Sequence, residues 1–328
     1  MSSKGPQRIV EQSFGPLVGQ TIVFCGLPGC AAAVCALTRY GAGVFVRSAA
    51  RLLALALSLA LAAQAADLPR RIVSLSPDLT EMLYGVGAFD KVVGVSNYDT
   101  YPPQAGKLPH LGQLQDPNFE KLLTLRPDLV VMADSQGAFF ETTLQQLGLR
   151  VLKISNWSIE ETYAAIATLG HATGHDLQAA RLVAATRAGL DRVARKTAHL
   201  PKLRVVLIVD RTPGTLRELT SATGGSYLAQ LVEIAGGQIA VPINKNGYAG
   251  LSKENLLAIN PDVILDSIHE SKGVLAGDPM EAWQELPELK AVRQHRVYGM
   301  DQDYVPHASQ RMVQTAELFA KLIHPEAK

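Results

Sequence analysis

Two stretches of this 328-residue chain match without a gap: Asn118-Phe-Glu-Lys-Leu-Leu-Thr-Leu-Arg-Pro-Asp-Leu-Val-Val131 and Ser252-Lys-Glu-Asn-Leu-Leu-Ala-Ile-Asn-Pro-Asp-Val-Ile-Leu265. Each reads as a short helix entered at a capping side chain, Asn118 or Ser252. Each helix is ended by the restriction proline places on the residue before it, and an Asp-led buried strand follows. The Pro-Asp portion recurs wherever a helix hands over to a strand in an α/β protein. The matched Glu120 and Glu254 are not required by that joint. A chain that repeats a helix–strand unit at this distance is expected to fold as two related lobes, with the two carboxylates at corresponding points on one molecular face.

The rest of the chain agrees with an α/β reading. Short β-branched runs at 71–76, 91–96, 128–133, 150–155, 204–210, 262–267 and 296–301 alternate with longer amphipathic stretches. That alternation marks βα units with mostly parallel strands. Between the halves lies an Ala-, Leu- and Arg-rich segment, 175–200, with Leu177, Ala180, Val183, Ala184, Leu190, Val193 and Ala194 at helical spacing and Pro201 as its stop. A helix of about 22 residues is roughly 33 Å long, enough to run from one lobe to the other as a stiff strut.

The beginning of the chain differs in kind. Residues 47–65 carry two arginines, an apolar run from Leu52 to Ala63 and the small-residue pattern Ala63-Gln64-Ala65, which is the pattern of a secretory signal peptide cleaved after Ala65. A membrane span needs about 20 apolar residues, and this run is shorter. The stretch upstream of Arg47 is long for an n-region, and translation from Val44 or Val46 would give a signal of ordinary length. Leu27-Pro28-Gly29-Cys30 is a competing lipobox, with Pro28 a poor fit. All three cysteines, Cys25, Cys30 and Cys35, fall within residues 1–65 and lack the Cys-x-x-Cys form of a zinc site. The expected division is a leader at 1–65, an N-terminal lobe at 66–173, a backbone helix at 174–200 and a C-terminal lobe at 201–328. Beyond the leader the chain has no cysteine and slightly more acids than bases, so it lacks the basic face a nucleic-acid binder needs.

No phosphate-binding glycine loop, nucleophile elbow or zinc-protease helix occurs. His171 and His175 have the i, i+4 spacing of zinc ligands, but Gly174 between them points to a solvated helix junction. An enzyme is therefore not expected, nor a resident cofactor or metal. Several tyrosines fall in predicted loops: Tyr98 and Tyr101 in SNYDTYPPQ, Tyr248 in NKNGYAGLS and Tyr304 in DQDYVPHAS. Such rings suit a large, partly polar ligand between two lobes; as single residues they are equally well explained as loop packing. His110 and His307 are the histidines of the same loops.

The segments 71–105, 111–131, 220–241 and 251–266 together resemble the helical-backbone (class III) periplasmic substrate-binding proteins, most of all their cobalamin-binding members. The resemblance covers essentially residues 70–325. It implies two Rossmann-like α/β lobes joined by one long helix, a ligand cleft between them, and no catalysis. It also implies a monomer that delivers its cargo to the dimeric permease of an ABC importer. The implied ligand is cobalamin, with an iron-siderophore or haem as alternatives. For haem, Tyr98, Tyr101, Tyr248 or His110 is a candidate iron ligand. A secreted metal-ion receptor, which would need converging His and carboxylate ligands, is the more distant reading. Tyr98 falls on a ligand-contacting tyrosine of the cobalamin binders, with Tyr101 beside it. Leu114, Tyr248 and Tyr304 fall on tryptophans of that family. Glu120 and Glu254 fall on its two docking glutamates, which meet permease arginines.

Overall fold

The computed structural model describes residues 68–244, 247–267 and 279–326. The leader expected over 1–65, with its cysteines and the Ala65 cleavage point, lies outside the described residues. The N-terminal half supplies β1 (Ile72–Ser74), α1 (Pro77–Gly85), β2 (Val92–Gly94), α2 (Phe119–Thr124), β3 (Leu129–Ala133), α3 (Gly137–Gln146), β4 (Val151–Ile154) and α4 (Ile159–Thr173). Its four strands form one parallel sheet in the order β2-β1-β3-β4, with Ile72 opposite both Val92 and Leu129. β1 and β3 are buried throughout, as strands covered by helices on both faces must be.

The long helix α5 (Asp176–Thr197) follows after a left-handed Gly174 ends α4. Its buried face is as expected at Leu190 and Val193 and differs in the first half. Leu177 is 73% exposed, and Ala180 and Ala184 also face outward. Ala179, Thr186, Gly189 and Thr197 face inward as well. The threonines fit there because Thr186 returns its hydroxyl to the Leu182 carbonyl (2.8 Å) and Thr197 gives its own to Ile234 (2.6 Å). Gly189 is required by close approach: a Cβ there would stand 2.8 Å from Val313.

Downstream come β5 (Leu203–Asp210), β6 (Thr220–Ala222), α6 (Tyr227–Ile234), β7 (Gly237–Ile239), β8 (Tyr248–Gly250), α7 (Lys253–Ile259), β9 (Val263–Ser267), α8 (Pro279–Trp283), α9 (Lys290–Arg293), β10 (Val297–Met300) and α10 (Met312–Ile323). β10, β9, β5 and β7 are parallel; β6 and β8 extend the sheet antiparallel from the far half of β5. α5 packs on α1 and α4 on one side and on α6 and α10 on the other. It is not the only tie between the two sheets. Ile159 and Tyr163 of α4 belong to the same buried cluster as Leu207, Leu265 and Phe319, whereas Ile166 and Leu169 of the same helix pack with Ile72 and Val131.

The repeated unit folds as read. Asn118 accepts a hydrogen bond from the Lys121 N–H (2.8 Å), and Ser252 accepts one from Asn255 (3.2 Å), each capping its helix. Each helix then turns through a left-handed residue directly before the proline, Arg126 (φ 47°) or Asn260 (φ 43°). The following aspartate clamps the neighbouring strand. Asp128 accepts from the backbone of Arg70 (2.8 Å) and Arg71 (3.0 Å); Asp262 accepts from the backbone of Arg204 (2.8 Å).

Candidate functional site

In a parallel sheet the loops that leave the carboxyl ends of the strands gather along one edge, and ligands bind in the crevice they form. Here a cavity of about 680 Å³ opens at that edge. Its wall is made by Ser76, Pro77 and Asp78 after β1, Tyr98 and Thr100 after β2, Ser267 at the end of β9, and Met300–Asp303 at and after β10, with Leu114, Pro306 and His307. Both sheets therefore contribute.

Tyr98 is 48% exposed, and its hydroxyl donates to the Gln113 side chain. The loop that carries it is tied down by Asp99, which accepts from the backbone (2.9 Å) and hydroxyl (2.5 Å) of Ser96. Burial pushes the Asp99 carboxyl up to about 6, against the Ser96 hydrogen bonds that lower it. Leu114 is presented by a tight turn that begins at Gly112 (φ 107°), where a Cβ would meet the Asp116 carbonyl at 2.8 Å. The buried Gln136 holds that turn from behind, donating to the carbonyls of Leu114 (2.7 Å) and Leu75 (2.9 Å).

Tyr101, Tyr248 and Tyr304 are placed elsewhere. Tyr101 meets Tyr84 edge-on (5.5 Å between centroids) and lies under the Arg311 guanidinium at 4.3 Å. Tyr304 is half-buried, with the same guanidinium 5.2 Å from its ring. Tyr248, on β8, is half-buried 6.3 Å from Trp157, and burial pushes its hydroxyl up to about 12. Trp157 is 40% exposed, and nothing in the local pattern around it distinguishes it from a packing residue.

Beneath the cavity a charged cluster joins the two halves. Glu81 of α1 is fully buried. It accepts from the side chains of His307 (2.8 Å), Arg311 (2.8 Å) and Ser309, and its own carbonyl accepts from Gln310 (2.7 Å). Arg311 also grips Asp303 (2.7 Å), which accepts from Thr100 (2.8 Å). Burial alone would lower the His307 imidazole. The hydrogen bond and charge of Glu81, with Asp78 and Asp303 nearby, hold it above its ordinary value. These partners are 226–230 residues apart in sequence, too far for spacing to reveal them.

Glu120 and Glu254 are both exposed and both the second residue of their helices, α2 and α7. Each helix runs back along its sheet to the next strand, so both N-termini lie toward the strand ends where the cavity opens. The Ser252 hydroxyl and the backbone N–H of Glu254 itself hold its carboxyl below the usual range. His171 and His175 do not form a pair: one bonds Asp176 (3.1 Å), the other Thr173 (3.1 Å), on either side of the α4–α5 junction. Among the described residues no three His, Cys, Asp or Glu side chains gather as metal ligands, and no helix is long and apolar enough to cross a membrane.

Two parallel-stranded lobes, a long connecting helix and a cavity at the strand ends define a class of ligand-binding proteins. The model of the periplasmic binding protein family matches residues 72–304, and the chain belongs to that family. The ABC transporter substrate-binding lipoprotein YvrC of Bacillus subtilis is 29% identical over 265 residues, which is 79% of this chain and 81% of that one. The crystal structure of the periplasmic vitamin B12 binding protein BtuF of Vibrio cholerae superposes with a TM-score of 0.66 at 26% identity, covering 78% of this chain and 96% of that one. A periplasmic heme-binding protein of Pseudomonas aeruginosa gives a TM-score of 0.71 at 24% identity over 80% and 95% of the two chains, a likeness of fold alone.

Proposed function

We propose that this chain is a periplasmic receptor that captures a corrinoid in the inter-lobe cavity and hands it to the permease of an ABC importer. The observation that carries the reading is the cavity at the strand ends, walled from both lobes by Tyr98, Leu114 and a set of hydrogen-bond acceptors, in a chain similar to a vitamin B12 binding protein. A corrin is a broad ring with an amide-bearing rim. An open cavity with one exposed aromatic face and many acceptors suits it. Tyr101 and Tyr304 lie against the Arg311 guanidinium, which bonds Asp303 of the cavity wall, and Tyr248 packs near Trp157 away from the wall. The working protein on this reading is a monomer starting near Ala66, with lobes at 66–173 and 201–328 and the helix of 174–200 between them. Glu120 and Glu254, repeated one per lobe and both exposed, are its contacts with basic residues on the permease.

Calorimetric or absorbance titration of the secreted form with cyanocobalamin tests the ligand. Saturable one-to-one binding at micromolar concentration or below is expected, and no binding there retires cobalamin. A Soret band on haem addition would assign the same cavity to an iron chelate instead. N-terminal sequencing of secreted protein is expected to begin within two residues of Ala66.

A further inference from the structure

The cavity wall is acidic: Asp78, Asp301 and Asp303 line it, with His307 as its basic side chain. Arg311 bonds Glu81 and Asp303, and His307 bonds Glu81 with Asp78 and Asp303 nearby. Asp78 and Asp301 have no cation as a hydrogen-bond partner among the described residues. Asp78 accepts from the Ser76 hydroxyl and the Asn156 amide, and Asp301 accepts from the Gln302 amide (2.5 Å), all neutral donors. Among the described residues no Lys or Arg lines the cavity. A carboxylate only accepts, so a guest that meets Asp78 and Asp301 directly does so best with N–H or O–H groups.

We propose that the cleft selects its ligand by charge, with Asp78 and Asp301 as the specificity-determining residues: a neutral or cationic ring that offers N–H donors is taken, and a ring that carries carboxylates is rejected. The inference rests on the reading of this cavity as the ligand site. Discrimination follows from a cost imposed on an anionic guest, which meets like charge in a partly desolvated wall.

The test compares cyanocobalamin with its monocarboxylic acid, in which one rim amide is hydrolysed, by calorimetry at 0.05 and 0.15 M salt. The acid is expected to bind about tenfold or more weakly to the natural chain, with the gap narrowing as salt rises. In Asp78→Asn/Asp301→Asn the gap should shrink to about twofold, and Asp301→Asn alone, at an exposed position that folding tolerates, should close part of it. Equal binding of the two corrinoids to the natural chain, or an unchanged gap in both variants, overturns the proposal. If neither corrinoid binds, the corrinoid reading fails by itself. The charge assignment is then decided with two porphyrins, one bearing four N-methylpyridinium groups and one bearing four sulfonatophenyl groups. Binding of the cationic ring alone supports it; binding of the sulfonated ring, or of neither, overturns it.

Discussion

The two copies of the helix–strand unit are built alike at the backbone and differently at their charges. In both, a capping side chain starts a short helix, a left-handed residue turns it toward a proline, and an aspartate clamps the next strand. The N-terminal copy uses Asp128 on two backbone amides, while the nearby Arg71 guanidinium is turned to the Leu125 carbonyl (2.6 Å). In the C-terminal copy Asp262 takes one amide and the Lys290 ammonium (2.5 Å), whose backbone N–H in turn bonds Asn260 (2.8 Å). The difference teaches that hydrogen bonding to the backbone defines this unit, and that the accompanying cation is exchangeable.

Substitutions made in pairs can break that equivalence. The largest effect is expected from Leu122→Ala and Leu256→Ala, since both leucines are fully buried. Each should lose about 2–5 kcal/mol in denaturant unfolding, and a much smaller loss in one copy would show that its helix is not held by its core contact. Asp128→Ala and Asp262→Ala should each lose about 0.5–1.5 kcal/mol, the latter more because Asp262 is the less exposed and also loses Lys290. Their pH dependence sharpens the contrast. Burial raises the Asp262 carboxyl, but Lys290 and the Arg204 amide more than offset this and hold it below its ordinary value. Its contribution is therefore present above the unfolded value of about 3.9 and is lost as pH falls through the lower folded value; the Asp262→Ala loss should shrink in that acid range. Removing the caps, by Asn118→Ala and Ser252→Ala, should remove about 1 kcal/mol each. Charge reversal at the exposed Glu120 and Glu254 should change stability least, by about 0.5 kcal/mol, and leave ligand affinity unaltered. On the proposed docking role the double reversal weakens association with the permease, read at moderate salt. Unaltered uptake by the double variant would count against that role.

How much of this was legible in the sequence depends on the range over which each feature is determined. Runs such as Val205–Ile208 and Val263–Leu265 announce buried strands from their own composition. β6, β7 and β8 are three residues each, without alternation, and are strands only because a neighbour offers an edge, β5 to β6 and β7 and then β6 to β8. α5 was readable in length and, at Leu190 and Val193, in its buried face, but not at Leu177. Gly189 and Thr186 look breaking or polar in isolation, yet on the buried face they allow the close approach of Val313 and a back-bond to Leu182. In the candidate site, Tyr98 stood out as an aromatic of a loop between strong elements, and Leu114 only through the family resemblance. Asp78 and Trp157 carry no periodic or motif signal. Glu81 reads as an ordinary surface acid of a helix until Arg311, 230 residues later, is brought against it.

The Glu81–Arg311 cluster has a mechanical consequence for exchange of cargo. A buried carboxylate gripped by an imidazole, a guanidinium and a hydroxyl acts as a rivet through the floor of the cleft, because pulling it apart would leave an uncompensated charge away from water. A receptor riveted in this way is a mould already cast to its final shape, and little of its affinity goes into closing a jaw. The same rigidity means that thermal fluctuation does not open the mould. Unloading then calls for a lever outside the molecule, and on the proposed docking role Glu120 and Glu254 are its handholds.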